Sequence, residues 1–240
     1  MDILGIIILI FVGFGAVLGF KRGFTKELVE ALGFIVIIIL AYFLKNPLSV
    51  ILYEYLPFFK IGILRNVEVL NILVYETIAF ILCLLILGIL LRVILFVSSV
   101  FEKILNATII LGIPSKILGA IVGIIHHYII AFVVVYILTL FCFDLDFVKN
   151  SDFANKVLNN TPVLSSLFDK SIGIVNDFKE LKDKYSDKTI SESEFNYQAI
   201  ELFLKYDVIT PTSLQKLFDN GKIEKFDGYD KLIEKYKGED

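Results

Sequence analysis

The chain has 240 residues, of which 57% are hydrophobic, with 22 phenylalanines, no tryptophan and a mean hydropathy of +0.77, too apolar for an ordinary soluble domain. Its net charge of −3 argues against a nucleic-acid binder, which needs a basic face to displace counterions. Charge is unevenly placed: residues 1–143 hold nine Lys/Arg and seven Asp/Glu, whereas 144–240 hold fourteen Lys and nineteen Asp/Glu, so a membrane part and a wet part are expected to meet near Phe143.

Ile3 to Phe20 is an unbroken apolar run. As a helix it is ~27 Å long, close to the ~30 Å hydrocarbon core, so it is expected to span. Asp2 precedes it and Lys21-Arg22 follows it, the reverse of a signal peptide's charge order, so the helix is expected to be retained. After a short link, Lys21–Glu27, the second span is expected over Leu28–Leu44, interrupted only by Glu30. Pro47, Pro57 and a set of charges break the pattern, and Tyr53, Tyr55, Phe58 and Phe59 suit an interfacial segment over about 47–69.

The third span is expected over Asn71–Leu91, with one acid inside it, Glu76, and Arg92 closing it. Polar residues recur at helical spacing over 93–113, which predicts an amphipathic surface helix. The fourth run, Ile117–Phe143, holds no formal charge beyond His126 and His127. The fold class expected is therefore all-α: a polytopic membrane protein whose domain of four transmembrane helices, residues 1–143, precedes a small soluble helical tail, residues 144–240.

That tail reads as capped helices over Ser151–Leu158, Val163–Tyr185, Ser191–Tyr206, Pro211–Phe218 and Tyr229–Tyr236. Phe195, Ile200, Leu202, Phe203, Leu214, Leu217 and Phe218 are its expected core. Basic residues favour the cytoplasmic side, and the one–two and three–four links hold six against five elsewhere. Both termini are thus expected outside the cytoplasm, in a multi-pass protein of the inner membrane.

Gly15, Gly19 and Gly23 recur every fourth residue, as do Gly119 and Gly123, which predicts close helix packing on those faces. The first hairpin, from Asp2 through Gly15-Ala-Val-Leu-Gly-Phe-Lys-Arg-Gly-Phe-Thr-Lys-Glu27, and Gly112-Ile-Pro-Ser-Lys-Ile-Leu-Gly-Ala-Ile-Val-Gly123 resemble the bacterial colicin V production (CvpA) proteins. The resemblance covers roughly residues 2–172 and includes Ser151-Asp-Phe and Thr161-Pro-Val-Leu. It implies a four-span inner-membrane protein linked to toxin production or export and, in some relatives, to envelope stress. Where that family often has a basic residue and a glycine, this chain has His126-His127. Some relatives carry an extracytoplasmic serine protease, but this tail has no histidine and no GxSxG serine.

The hairpin residues Arg22, Gly23, Phe24 and Glu27 are expected to hold two helices in register, or to dock a cytoplasmic partner or anionic lipid. Glu76 is either interfacial or an intramembrane functional site. His127 shares the face of Gly119 and Gly123, where it either bonds a neighbouring helix or takes part in proton transfer. Two adjacent histidines diverge by about 100° on a helix, so no metal site is expected, nor a cofactor or a catalytic residue. Cys83 and Cys142 are expected to be small apolar fillers.

The function expected is a non-enzymatic membrane scaffold whose tail recognises a protein partner. The alternative is a small transporter or channel component with a Glu76/His127 path, acting as a homo-oligomer because four helices enclose little. The lipid bilayer is the remaining partner.

Overall fold

The computed structural model describes residues 2–59, 70–105, 112–141 and 151–237. Among these residues the chain is helical throughout, in the order α1 (Ile3–Arg22), α2 (Phe24–Tyr55), α3 (Leu70–Leu105), α4 (Gly112–Phe141), α5 (Asp152–Asn160), α6 (Leu164–Ser186), α7 (Glu192–Lys205), α8 (Pro211–Asp219) and α9 (Tyr229–Tyr236). The first four contain stretches long and apolar enough to cross a bilayer. Large side chains such as Ile3, Ile10 and Ile94 lie exposed on them, which lipid tolerates and water does not.

The span boundaries shift from those expected. The link between the first two helices is a single residue, because Gly23 takes φ +79° and α2 starts at Phe24. Only a residue without a Cβ adopts that backbone at no steric cost. Pro47 does not stop α2, which runs on to Tyr55. Proline removes one N–H from the ladder, yet in lipid the exposed backbone of a broken helix costs more than the missing bond. Likewise α3 continues unbroken to Leu105, so the expected surface helix begins as an extension of the third span. No glycine or proline stands between Leu91 and Leu105 to stop it. Residues 60–69 and 106–111, which complete the expected interfacial segments, and Cys142 lie outside the described residues. Cys83 is a buried free thiol.

The chain forms two compact units. The first comprises α1, α2 up to Phe43, α3 from Ile81, α4 up to Leu138, and α5. Its polar latch joins two helix caps: Asp2 accepts from the Gly5 amide at 2.6 Å and from the Ser151 hydroxyl at 2.9 Å, while Ser151 accepts from the Ala154 amide at 3.0 Å. The residue before α1 thus meets the residue that opens α5, as four crossings require and an odd number forbids. The Gly5 amide, with Ser151 behind it, holds the Asp2 carboxyl below its ordinary value of 3.8. A carboxylate with a lowered folded-state pKa contributes in full above the unfolded value and is lost as pH falls through the folded one. Protection factors of the first α5 amides are accordingly expected to drop as pH falls below the ordinary carboxyl value, as read by hydrogen exchange, and an Asp2→Ala chain is expected to lack that step.

The second unit comprises α2 from Leu44, the Pro57–Phe59 stretch, α3 up to Phe80, and the chain from Pro162 onward. All five expected tail helices form, within two residues at each end. Thr210 caps α8 through the Ser213 amide at 3.2 Å, and Pro211 occupies the first helical position, where its missing N–H has no partner to lose. Ser191 caps α7 through the Glu194 amide at 3.2 Å. Ser191→Ala is expected to lower the stability of this unit by about 1 kcal/mol, read as a shift in its denaturant midpoint. Phe168, Phe178, Phe195 and Phe203 are fully buried, with Leu214, Leu217 and Leu232 beside them. Of the expected core only Leu202 is half-buried, at the edge of a groove.

Candidate functional site

Three sets of residues carry the polar chemistry of the membrane part. The first is backbone contact between α1 and α4. A methyl group built on Gly15, Gly19, Gly119 or Gly123 would lie under 3.0 Å from the backbone of the opposing helix, so the two chains touch where side chains would otherwise separate them. Gly23 closes the row, and the Phe24 amide donates to the Ser115 hydroxyl of α4 at 3.2 Å.

The second set sits beside that contact. Glu27, wholly buried, accepts from Arg22 at 3.2 Å through Oε2, while its Oε1 lies 2.8 Å from His126 Nδ1. Arg22 also pairs with Glu30 at 2.5 Å. His126 and His127 are both buried. His127 packs over Gly15 and against Phe11, with its Nδ1 3.1 Å from the Gly123 carbonyl; a side chain on Gly15 would occupy the space of that ring. Phe34 lies against His126 with ring centroids 5.6 Å apart. The hairpin charges and the histidines, read separately in the sequence, therefore form one constellation, and Glu27 is the residue that joins them.

The third set belongs to the second unit. Glu76 on α3 is buried and paired with Lys45 on α2, itself buried. Sequence reasoning placed Lys45 in a link because Pro47 follows it. The available signal was a lone base at the end of the second apolar run and a lone acid near the start of the third. Nearby, Asn71 closes two hydrogen bonds with the Phe59 backbone, at 2.7 and 3.3 Å, and Tyr75 donates to the Pro57 carbonyl at 2.6 Å.

In the tail, a groove of about 510 Å³ runs between α6 and α7, lined by Asp177, Glu180, Glu194 and Glu201 with Lys184, Tyr197 and Gln198. Two of the acids are held from outside it, Asp177 by Lys205 and Tyr206 and Glu201 by Lys235. These ties, through the hydrogen bond each carboxylate accepts, raise the Lys205 and Lys235 pKa values.

Four apolar helices, a glycine-seamed contact and buried charge pairs define a polytopic helical membrane protein. This chain belongs to the colicin V production protein family, whose model matches residues 4–162. It is 33% identical over 173 residues to the uncharacterized transmembrane protein YshB of Bacillus subtilis (strain 168), an alignment covering 68% of this chain and 94% of that relative. No solved structure matches it significantly. The family match ends at Pro162, two residues after α5, so the tail from Val163 onward lies beyond it.

Proposed function

We propose that the protein is a non-enzymatic scaffold of the inner membrane that organises an export or envelope process of the colicin V production type, with the tail recognising a protein partner outside the cytoplasm. The observation that carries this reading is the groove between α6 and α7, whose four acids outnumber the three lysines paired with them, Lys184, Lys205 and Lys235, and so suit a basic or amphipathic segment of a partner. It lies in the part of the chain beyond the family match. The glycine contacts of α1 and α4 favour the same reading, since helices in backbone contact act as a rigid mount.

The competing reading is a transporter or channel component, favoured by the buried ionisable groups Glu76 and His127. Substitution separates the two. Glu194→Lys with Glu201→Lys is expected to abolish complementation of a chromosomal deletion while membrane levels hold, and Lys45→Met with Glu76→Leu, which removes both charges of the buried pair together, is expected to leave complementation above background. Solute flux in proteoliposomes that requires Glu76 and His127, with a dispensable tail, would favour the transporter instead. For orientation, a chain lacking Cys83 and Cys142 and carrying Ser186→Cys is expected to react with a membrane-impermeant thiol reagent in intact cells. Protection until lysis would place the tail in the cytoplasm.

A further inference from the structure

Glu27, His126 and His127 each offer a ligand atom, and the three atoms lie within 4.8 Å of one another. Helical neighbours diverge by about 100°, yet both imidazoles bring a nitrogen within this distance of the same carboxylate, which comes from another helix. We propose that these three side chains bind a divalent first-row transition-metal ion of the zinc type. The inference is independent of the scaffold reading.

Distance comes first. Ligand atoms about 2.0–2.1 Å from a tetrahedral ion sit about 3.3 Å from one another. The 2.8 Å separation of Glu27 Oε1 from His126 Nδ1 is tighter than that, and the 4.8 Å that bounds the set is wider by about 1.5 Å, so binding an ion requires side-chain rotation. Imidazole with one carboxylate is a donor set for zinc, iron(II) or cobalt(II), whereas calcium and magnesium require oxygen ligands. Two histidines and one carboxylate also leave coordination positions open.

The surroundings orient these ligands as the outer shell of a metal site does. His127 Nδ1, as the N–H, donates to the Gly123 carbonyl at 3.1 Å, which leaves the Nε2 lone pair as its ligand atom. The imidazole is held in the space that the absent Gly15 side chain provides. Arg22 fixes Glu27 through Oε2 and leaves Oε1 toward the histidines. Arg22 is closer to Glu30, at 2.5 Å, than to Glu27, at 3.2 Å, so its charge is divided between two carboxylates. All three ligands are buried, so a bound ion is stripped of most bulk water and its attraction to the carboxylate is little screened.

The test uses the full chain without a polyhistidine tag, stripped with chelator, reconstituted in lipid nanodiscs and titrated with Co²⁺. One Co²⁺ per chain is expected, with the visible absorption of a four- or five-coordinate ion, displaced by one equivalent of Zn²⁺. Glu27→Gln and His126→Gln are each expected to weaken binding about tenfold or more. Glu27→His, whose imidazole reaches about as far as the glutamate it replaces, guards against variants that merely fail to assemble: it is expected to keep Co²⁺ binding with a shifted visible spectrum, as a nitrogen ligand replaces an oxygen. No Co²⁺ bound by the wild-type chain above empty nanodiscs overturns the proposal, and so does unchanged binding in both Glu27→Gln and His126→Gln.

Discussion

Lys45→Met is expected to destabilise the protein by about 3–5 kcal/mol, since it leaves the buried Glu76 carboxylate without its counter-charge. Against a typical total of about 5–15 kcal/mol that is a large fraction. The double variant Lys45→Met, Glu76→Leu is expected to recover most of the loss, because an apolar pair of similar volume is often as stable as the ion pair it replaces. Unfolding in mixed micelles of rising SDS content, followed by far-ultraviolet circular dichroism, reads both. Equal midpoints for Lys45→Met and the wild type would show that the pair carries no stability. The experiment also bears on the transport reading: a carboxylate already neutralised by a fixed lysine is a poor ion carrier, and a stable double variant that still complements would remove Glu76 from any path.

The other large effect concerns the glycine seam. Gly19→Leu and Gly119→Leu are each expected to prevent α1 and α4 from closing, because a Cβ alone falls inside the contact distance of the opposing backbone and no flexible side chain stands there to yield. Overpacking a soluble core typically costs about 1–3 kcal/mol, and displacement of a backbone lies at or beyond the upper end. Gly13→Leu and Gly88→Leu supply the control, since nothing lies within 4 Å of a Cβ at either position. Cysteines placed at Ala16 and Ala120 report the outcome as the rate of oxidative cross-linking. A Gly19→Leu chain that cross-links as fast as Gly13→Leu would mean the seam does not hold the two helices.

What the sequence made legible follows from how strong each local signal is. Eighteen apolar residues in a row have no stable place in water, so Ile3–Phe20 declares itself without context, and the serines before α5 and α7 mark starts that the structure places at the expected residues. Pro47 misled because its usual meaning comes from soluble proteins, where a broken helix finds water for its backbone; within lipid, continuation is the cheaper outcome. The periodic glycines identified α1 and α4 as surfaces for a neighbour, and spacing alone held no information that they would choose each other. Glu27 was hardest to place. Its nearness to Arg22 in sequence supplied a complete local explanation, and its nearness to His126, ninety-nine residues away, exists only in the fold.

The seam between Gly15–Gly19 and Gly119–Gly123 joins the helix synthesised first to the helix synthesised last of the four. At roughly 5–20 residues per second, the small-residue face of α1 waits in the bilayer for about 5–20 s before its partner leaves the ribosome. During that interval any other membrane helix with a matching stripe of small residues competes for it, so the order of synthesis makes the nascent chain, rather than the finished one, the form most open to pairing with the wrong neighbour. The latch between Asp2 and Ser151 forms later still and makes that choice harder to reverse.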